Sequence, residues 1–374
     1  MKKIMMLVMV SLLLLVACEE TAQTTQKMQK ADPITFGFIM PLSGDLSWLG
    51  QNMKLGVELA VEEINAKGGV NGRNLQVIYE DGLCDGKGAS SAANKLINID
   101  GVHYIVGGAC SGETIAAAPL AEASKTVLFS PTSSNPSITT IGDFVFRNYP
   151  SDAFQGVVAA EFAYEKLVAR KVAVLACQSE WCEGLQSVFI KRFKELGGKV
   201  LIVERTEVDA KDLRAQLTKI KQVKPELIYM AAHPTESIAG LKQAKELGIT
   251  APFLGGDGWA DETIWKEVGA AGNGAIHLEP VTDAPESFKT KFKARFGDAG
   301  EISLGVPQAY DVVYLLAEHI GKVGDDSVKV KDSLYTVKDW VGVAGKTTLD
   351  SNGDLVGAAY DIKVAKNGKL VDYE

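Results

Sequence analysis

Short apolar runs alternate with amphipathic stretches along most of the chain. Runs with the length of buried strands are separated by segments whose apolar positions recur about every 3.6 residues, the helical period. Strand and helix in strict turn predict βα units and parallel sheets. The predicted strands are 34–40, 75–79, 103–106, 127–130, 172–176, 199–204, 227–230 and 252–254, and the predicted helices are 51–67, 88–99, 113–124, 183–196, 211–223 and 235–247.

The two halves of this alternation repeat one local pattern. Residues 103–116 run through an apolar strand, two small residues, a polar turn and a helix start, and residues 227–240 do the same. We therefore expect an α/β protein with two Rossmann-like lobes, each built on a parallel central sheet. Ligands of such sheets bind beyond the carboxyl ends of the strands, so a cleft between the lobes is the expected binding site.

The N-terminal segment has the pattern of an export signal over residues 1–17. Two lysines precede an uncharged run at 4–16, which would form a helix of about 20 Å, shorter than the ~30 Å hydrocarbon core. The four residues ending at Cys18 resemble a lipobox, which predicts lipidation of Cys18; the alternative is an ordinary signal with a chance cysteine. Residues 18–33 are polar and are predicted to form a tether.

The length and charge of the remaining chain limit the number of domains and the kinds of partner that we expect. About 340 residues exceed what one hydrophobic core usually supports, which favours two domains. Removing the two lysines of the signal changes the net charge from −8 to −10, since −8 − 2 = −10. An acidic protein of this kind is not expected to bind nucleic acid or to cling to anionic lipid.

The chain contains five cysteines, an odd number. If Cys18 carries lipid, four remain, and in an oxidising compartment the simplest pairing is Cys84 with Cys110 and Cys177 with Cys182. A zinc site is the alternative, but the sequence has no CxxC pair and its four histidines are scattered. We expect no metal and no cofactor.

Sequence motifs of common enzymes are not found. Residues 108–112 (GACSG) place cysteine and serine in the wrong order for a nucleophile elbow. Residues 342–347 (GVAGKT) are two residues short of a phosphate-binding loop, and no GxGxxG occurs. These absences favour a binding protein over an enzyme.

Three segments at predicted strand ends carry candidate ligand contacts. At 109–113, Ser111 opens a helix and could hold an anion, or could simply cap that helix. Residues 130–136 concentrate hydroxyl groups, as an ordinary polar turn also does. At 254–259, Asp257 lies among three glycines and could hold an ammonium group, or could be a solvated turn residue. An anion holder on one lobe and a carboxylate on the other would suit a zwitterion.

The same segments, in this order, resemble the type I periplasmic binding proteins of the branched-chain amino acid transport family over nearly the whole chain after the tether. The most specific matching segment is NAKGG at 65–69, which ends the first helix. The matching segments are 41–44 (PLSG), 62–72 (EEINAKGGVNG), 79–81 (YED), 130–131 (SP), 135–136 (NP), and Arg147 followed by Asp152 and by Gln155 and Gly156.

The resemblance implies lobes joined by hinge strands and a set of ligand contacts. The implied lobes are 34–151 with 281–357, and 152–280 with 358–374. Ser111 would bind the ligand carboxylate with help from Ser134, and Asp257 would bind the ammonium. The remaining implied positions are Thr132, whose main-chain carbonyl would face the ammonium, Ser133 beside it, Asp152 on the hinge side, Trp181 closing over the ligand, and the family disulfide at Cys84 and Cys110.

The sequence departs from the family pattern around the ligand side chain. Leu49 stands where an aromatic residue is frequent, with Trp48 one step earlier. His233 falls at or beside a usual tyrosine, and Cys182 follows Trp181 where glycine is usual. The pocket for the ligand side chain can therefore differ from that of relatives.

The function implied by the resemblance is solute capture for an ABC-type importer. The chain would bind a branched-chain or other small amino acid, close its lobes, and deliver the ligand to a membrane permease. We expect a monomer, held at the membrane in the periplasm or at the cell surface by its lipid. The alternatives are a ligand sensor, or a binding protein for amides, urea or aromatic acids. An enzyme using His233 and Asp257 ranks third.

Overall fold

The structure is a computed structural model, and it describes residues 32–282, 284–297 and 300–374. The predicted signal and the predicted lipid site Cys18 lie outside the described residues. Within the described ranges, none of the helices combines the length and the apolar character needed to span a bilayer.

Strands and helices alternate through most of the described chain. The strands are β1 Ile34–Met40, β2 Leu75–Asp81, β3 Tyr104–Gly107, β4 Val127–Ser130, β5 Val145–Arg147, β6 Lys171–Cys177, β7 Lys199–Thr206, β8 Leu227–Ala231, β9 Phe253–Gly255, β10 Ile276–Pro280, β11 Trp340–Gly342, β12 Gly345–Thr347, β13 Tyr360–Lys366 and β14 Lys369–Asp372. The helices are α1 Ser47–Ala66, α2 Gly86–Asn94, α3 Ser111–Ser124, α4 Asp152–Glu161, α5 Glu180–Glu195, α6 Arg214–Val223, α7 Pro234–Glu246, α8 Glu262–Val268, α9 Glu286–Phe296, α10 Val306–Val323 and α11 Ser327–Leu334.

The first lobe is built on a sheet of five parallel strands in the order β2-β1-β3-β4-β5. Its central strands are mostly apolar because helices cover both faces, and Phe36 and Phe38 are fully buried. Helices from the far end of the chain complete this core, since Phe288 of α9 and Val313 of α10 pack in the same cluster as Phe36.

The second lobe contains a seven-stranded sheet in the order β14-β13-β10-β9-β8-β6-β7. The strands from β6 to β10 run parallel, and β13 and β14 add an antiparallel edge. The chain passes between the lobes after β5, after β10 and before β13. The predicted α/β fold with parallel-dominated central sheets in two lobes is confirmed.

Several element boundaries differ from those predicted. The helix predicted at 51 begins at Ser47, and the helix predicted at 211 begins at Arg214. The helix predicted at 88–99 begins at Gly86, where the Asp85 carboxylate accepts a hydrogen bond from Gly88 N at 2.7 Å, and it widens into π-helical turns over Lys95–Ile99. The strands β5 and β10 to β14 and the helices α4 and α8 to α11 fall outside the predicted set.

A buried ion pair joins the end of β5 to the segment that precedes β13. Arg147 is fully buried, and its Nε and Nη2 donate to the two carboxylate oxygens of Asp354 at 2.7 Å each. Its Nη1 donates to the main-chain oxygen of Asn135 at 3.0 Å. The Arg147 side chain therefore connects the segment that precedes β13 with the turn that follows β4.

Candidate functional site

A cavity lies between the two lobes at the carboxyl ends of their strands. Its volume is about 80 Å³, which at about 10–15 Å³ for each water molecule is room for roughly five to eight waters or one small organic molecule. Its lining comes from both lobes and comprises Leu46, Trp48, Leu49, Cys84, Ala109, Cys110, Ser111, Gly112, Thr132, Ser134, Ser179, Glu180, Trp181, His233, Pro234, Asp257, Gly258, Ala260, Asp261 and Leu304.

The N-terminus of α3 forms one wall of the cavity. Ser111 is its first residue, and the first N–H groups of an α-helix have no acceptor within the helix. The Ser111 hydroxyl accepts a hydrogen bond from Asn135 N at 3.2 Å, so its own hydrogen can still be donated to an anion. Gly112 permits the second lobe to approach, since a Cβ there would lie 2.6 Å from a Glu180 carboxylate oxygen.

The hydroxyl groups after β4 divide between the cavity and the interior. Thr132 lines the cavity, and its hydroxyl donates to Ala109 O at 2.9 Å. Ser134 also lines it, but its hydroxyl donates to an Asp152 oxygen at 2.9 Å. Ser133 faces the interior, where its hydroxyl bonds Thr114 and Gly108 O at 2.8 and 2.9 Å.

Two of the predicted contacts are therefore not among the described residues that line the cavity. The Ser133 hydroxyl is hydrogen-bonded to Thr114 and to the main chain after β3. Asp152 lies behind Ser134 and is fully buried at the start of α4. Adjacent residues of an extended turn point in different directions, so Thr132 and Ser134 face the cavity while Ser133 does not.

Asp257 supplies a carboxylate to the wall formed by the second lobe. It begins a short 3₁₀ turn after β9 and is 4 % exposed. Its Oδ2 accepts a hydrogen bond from the Tyr149 hydroxyl at 2.7 Å. Burial raises the pKa of Asp257, and the bond from Tyr149 opposes that rise. This carboxylate faces the cavity without a Lys or Arg partner among the described residues.

Trp181 and His233 form the wall contributed by α5 and α7. Their ring centroids are 4.9 Å apart, and Ser179 Oγ lies 3.4 Å from His233 Nε2. Burial lowers the pKa of His233 to about 4, so the ring is neutral at pH 7. The disulfide between Cys177 and Cys182 spans Trp181, with Cα atoms 5.5 Å apart.

The sulfur atoms near His233 are already used in that disulfide. Cys177, Cys182 and His233 bring one ligand atom each within 4.8 Å of one another. A metal needs the thiolate form of cysteine, which a disulfide does not offer. Cys177 and Cys182 therefore close a short loop around Trp181, and with His233 they do not offer the ligands of a metal centre.

The apolar part of the cavity comes mainly from the first lobe. Trp48 and Leu49 line it as predicted, and the Cys84–Cys110 disulfide forms part of its wall. Leu46 and Leu304 complete it and were not predicted, because each lies in a loop with no helical or strand periodicity. This surface suits a small apolar group.

The charged residues of the lining are all acidic. They are Asp257, Asp261 and Glu180, and among the described lining residues none is Lys or Arg. Asp261 caps α8 by accepting a hydrogen bond from Thr263 N at 2.8 Å. An anionic ligand side chain would be repelled, whereas a zwitterion can place its ammonium against Asp257.

The two lobes touch across the cavity mouth. The side-chain amide of Asn135 in the first lobe donates to the main-chain oxygen of Glu180 in the second. A Cβ on Gly184 of α5 would lie 2.5 Å from the same amide nitrogen. These contacts define a closed arrangement of the lobes.

Comparison with known proteins gives consistent matches over most of the chain. The family model described as "Periplasmic binding protein" matches residues 33–369. A leucine-, isoleucine-, valine-, threonine- and alanine-binding protein of Pseudomonas aeruginosa is 32 % identical over 332 residues, which cover 87 % of this chain and 88 % of that protein.

Two solved structures have the same fold. A leucine-binding protein of Thermotoga maritima is 28 % identical with a TM-score of 0.82, covering 91 % of this chain and 98 % of that one. A branched-chain amino acid transporter substrate-binding protein of Streptococcus pneumoniae, solved in complex with isoleucine, is 29 % identical with a TM-score of 0.80, covering 90 % of this chain and 97 % of that one.

Proposed function

The chain belongs to the periplasmic binding protein family, and from this premise we propose that it is the extracytoplasmic solute-binding component of an ABC-type amino acid importer. Its ligand is a branched-chain or other small amino acid. The observation that carries the proposal is the pairing, across one cavity, of the α3 N-terminus at Ser111 with the carboxylate of Asp257.

This pairing matches the two charged groups of an amino acid. The ligand carboxylate is held by Ser111 and the N–H groups of the first turn of α3, where the helix dipole also favours negative charge. The ammonium is held by Asp257, with the Thr132 main-chain carbonyl beside it. The aliphatic side chain lies against Leu49, Leu304 and the Cys84–Cys110 disulfide.

The energy of these contacts is sufficient for micromolar binding. A dissociation constant of 1 μM corresponds to about 8 kcal/mol. Charge-assisted hydrogen bonds contribute about 1.5–3 kcal/mol each, and burial of a leucine-sized side chain about 1.5–3 kcal/mol, against the costs of association.

Closure of the lobes couples binding to transport. The moving bodies are 34–151 with 281–357, and 152–280 with 358–374. The ligand docks on the first lobe, and Trp181, His233 and Asp257 then close over it. The closed form presents a surface to the permease that the open form lacks. The chain acts as a monomer, held at the membrane by a lipid on Cys18.

A ligand without an ammonium group fits this cavity less well. Amides, urea and aromatic acids leave the buried carboxylate of Asp257 without a charged partner, which is costly. An aromatic acid also brings a negative charge near Glu180 and Asp261. The charge of the lining therefore supports an amino acid as the ligand.

A thermal-shift screen against amino acids, short amides and benzoate tests the proposal. We expect stabilisation by small apolar amino acids, since a ligand that binds only the folded protein raises its stability. Calorimetry then compares the wild type with Asp257→Asn, for which we expect affinity to fall about 10- to 150-fold through loss of a charge-assisted bond. The control is Asp212→Asn, at an exposed carboxylate. Stabilisation by benzoate alone would contradict the proposal.

A further inference from the structure

Two buried carboxylates lie at the cavity wall: Asp257 lines the cavity, and Asp152 lies behind Ser134. Asp152 is fully buried and Asp257 is 4 % exposed. Gln155 lies one turn after Asp152 in α4, and its Oε1 accepts a hydrogen bond from Asp257 N at 3.4 Å, which places Asp257 beside the first turn of α4. Gly256 permits this approach, since a Cβ there would lie 2.3 Å from that oxygen.

Within the described part of the chain, each carboxylate accepts a hydrogen bond at one oxygen only. Asp152 Oδ2 accepts from Ser134 Oγ at 2.9 Å, and Asp257 Oδ2 accepts from the Tyr149 hydroxyl at 2.7 Å. Among the described residues, neither Oδ1 has a hydrogen-bond partner, and the same holds for Gln155 Nε2 and for the hydroxyls of Tyr229 and Tyr360.

The basic side chains nearby already have other hydrogen-bond partners. Arg147 is bound by both oxygens of Asp354 at 2.7 Å. His277 lies with Nδ1 3.0 Å from Gly256 O and Nε2 2.9 Å from a Glu279 oxygen. The titratable and charged groups that face the pair are Arg147 on β5, Tyr149 after it, Tyr229 on β8, His277 on β10 and Tyr360 on β13.

Two buried negative charges without a cation of their own are strongly unfavourable. Burial, and next the charge of Asp257, raise the pKa of Asp152 well above its usual value, and burial raises the pKa of Asp257. Like-charged carboxylates at one site commonly hold one proton between them. Only Asp257 of the two reaches the cavity.

We propose that Asp152 and Asp257 hold one shared proton when the cleft is empty, and that the ligand ammonium displaces it. The ligand keeps its three ammonium protons, the pair loses one proton, and that proton passes to solvent. Asp152 is thus a specificity-determining residue that does not touch the ligand. Its carboxylate favours a ligand with a cationic group, because that group replaces the positive charge of the lost proton. This inference rests on the proposed amino acid site.

The inference predicts a definite pH dependence. The bound form carries fewer protons than the empty form, so affinity rises with pH while the empty pair still holds its proton, by up to about tenfold per pH unit. It levels off once the empty pair is itself ionised. His233 is not the source, because its pKa of about 4 leaves it neutral across this range.

Calorimetry of L-leucine binding at pH 6, in phosphate and in a buffer of high ionisation enthalpy, counts the released protons. We expect close to one proton per ligand for the wild type and close to none for Asp152→Asn, whose affinity should also become independent of pH. The control Asp372→Asn, at an exposed carboxylate 2.7 Å from Lys363, should release protons as the wild type does.

The outcomes separate the two proposals. If L-leucine binds without releasing protons, the shared proton is refuted and the amino acid site stands. Equal proton release by Asp152→Asn and wild type would also refute it, because the proton would then come from elsewhere. If neither L-leucine nor any other amino acid of the thermal-shift screen binds at any pH, the proposed amino acid site itself fails. Should Asp152→Asn fold poorly, the wild-type buffer comparison alone decides.

Discussion

The ion pair between Arg147 and Asp354 should be a major source of stability. Replacing Arg147 with Met removes the charge but retains much of the apolar stem, and leaves the Asp354 carboxylate largely buried without its cation. Thr139 still donates to that carboxylate at 2.7 Å. The reciprocal change, Asp354→Asn, leaves a fully buried guanidinium whose remaining acceptors, Asn135 O, Thr139 Oγ1 and the new amide oxygen, are all neutral.

The cost follows from the burial of both partners. The side chains of Arg147 and Asp354 are 0 % and 10 % exposed. Removing one partner of a buried ion pair costs about 3–5 kcal/mol, because the other charge stays buried and unpaired. Each single variant should lose about that much unfolding free energy, and the double variant much less than the sum, since it leaves no unpaired charge.

Urea denaturation of the two single variants and the double variant measures these free energies. The exposed pair of Arg214 and Glu246, with side chains 50 % and 58 % exposed, is the control and should be worth under about 1 kcal/mol. Single variants that each lose less than about 1 kcal/mol, with additive effects, would refute the argument from burial.

Three further predictions concern ligand binding. Asn135→Asp keeps the oxygen that accepts from Ser137 N at 2.8 Å but removes the amide that donates to Glu180 O. Because this bond joins the two lobes, its loss should raise the dissociation rate of L-leucine measured by stopped-flow fluorescence. An unchanged rate would show that the bond does not stabilise the closed form. Ser111→Ala should weaken L-leucine binding in calorimetry by about 1.5–3 kcal/mol, and an effect below about 0.5 kcal/mol would contradict the carboxylate assignment. Changing Cys177 and Cys182 together to Ser should lower the unfolding free energy by about 2 kcal/mol, as the loop-entropy model gives for so short a loop, and circular dichroism in urea would show no loss if the disulfide were dispensable.

The sequence was most informative where strands are buried on both faces. β1 occupies the predicted range 34–40 because a central parallel strand is buried on both faces and therefore has a nearly continuous apolar run. The predicted segments around Ser111 and Asp257 meet in one cavity because each follows the carboxyl end of a strand, one in each sheet, and these ends of the two sheets border the same cleft.

Other features depend on contacts that no local pattern encodes. β13 has a single buried position, Ala365, among partly buried and exposed ones and includes three charged residues, so it has no buried run to mark it. Leu304 reaches the cavity only through the path of its loop. Asp152 and Ser133 have the residue types of ligand contacts, but side-chain direction, which the sequence does not show, places both behind the cavity wall.

The antiparallel edge of the second sheet has a consequence for biosynthesis. β13 pairs with β10 although 79 residues separate their facing ends, Pro280 and Tyr360, counting the intervening positions 281–359. The core of the first lobe is likewise incomplete until α9 and α10 pack in the same cluster as Phe36. Neither lobe can finish folding until nearly the whole polypeptide has been synthesised. A chain cut before β13 should therefore be recognised by proteases as unfolded, and the two lobes should mature as one kinetic unit.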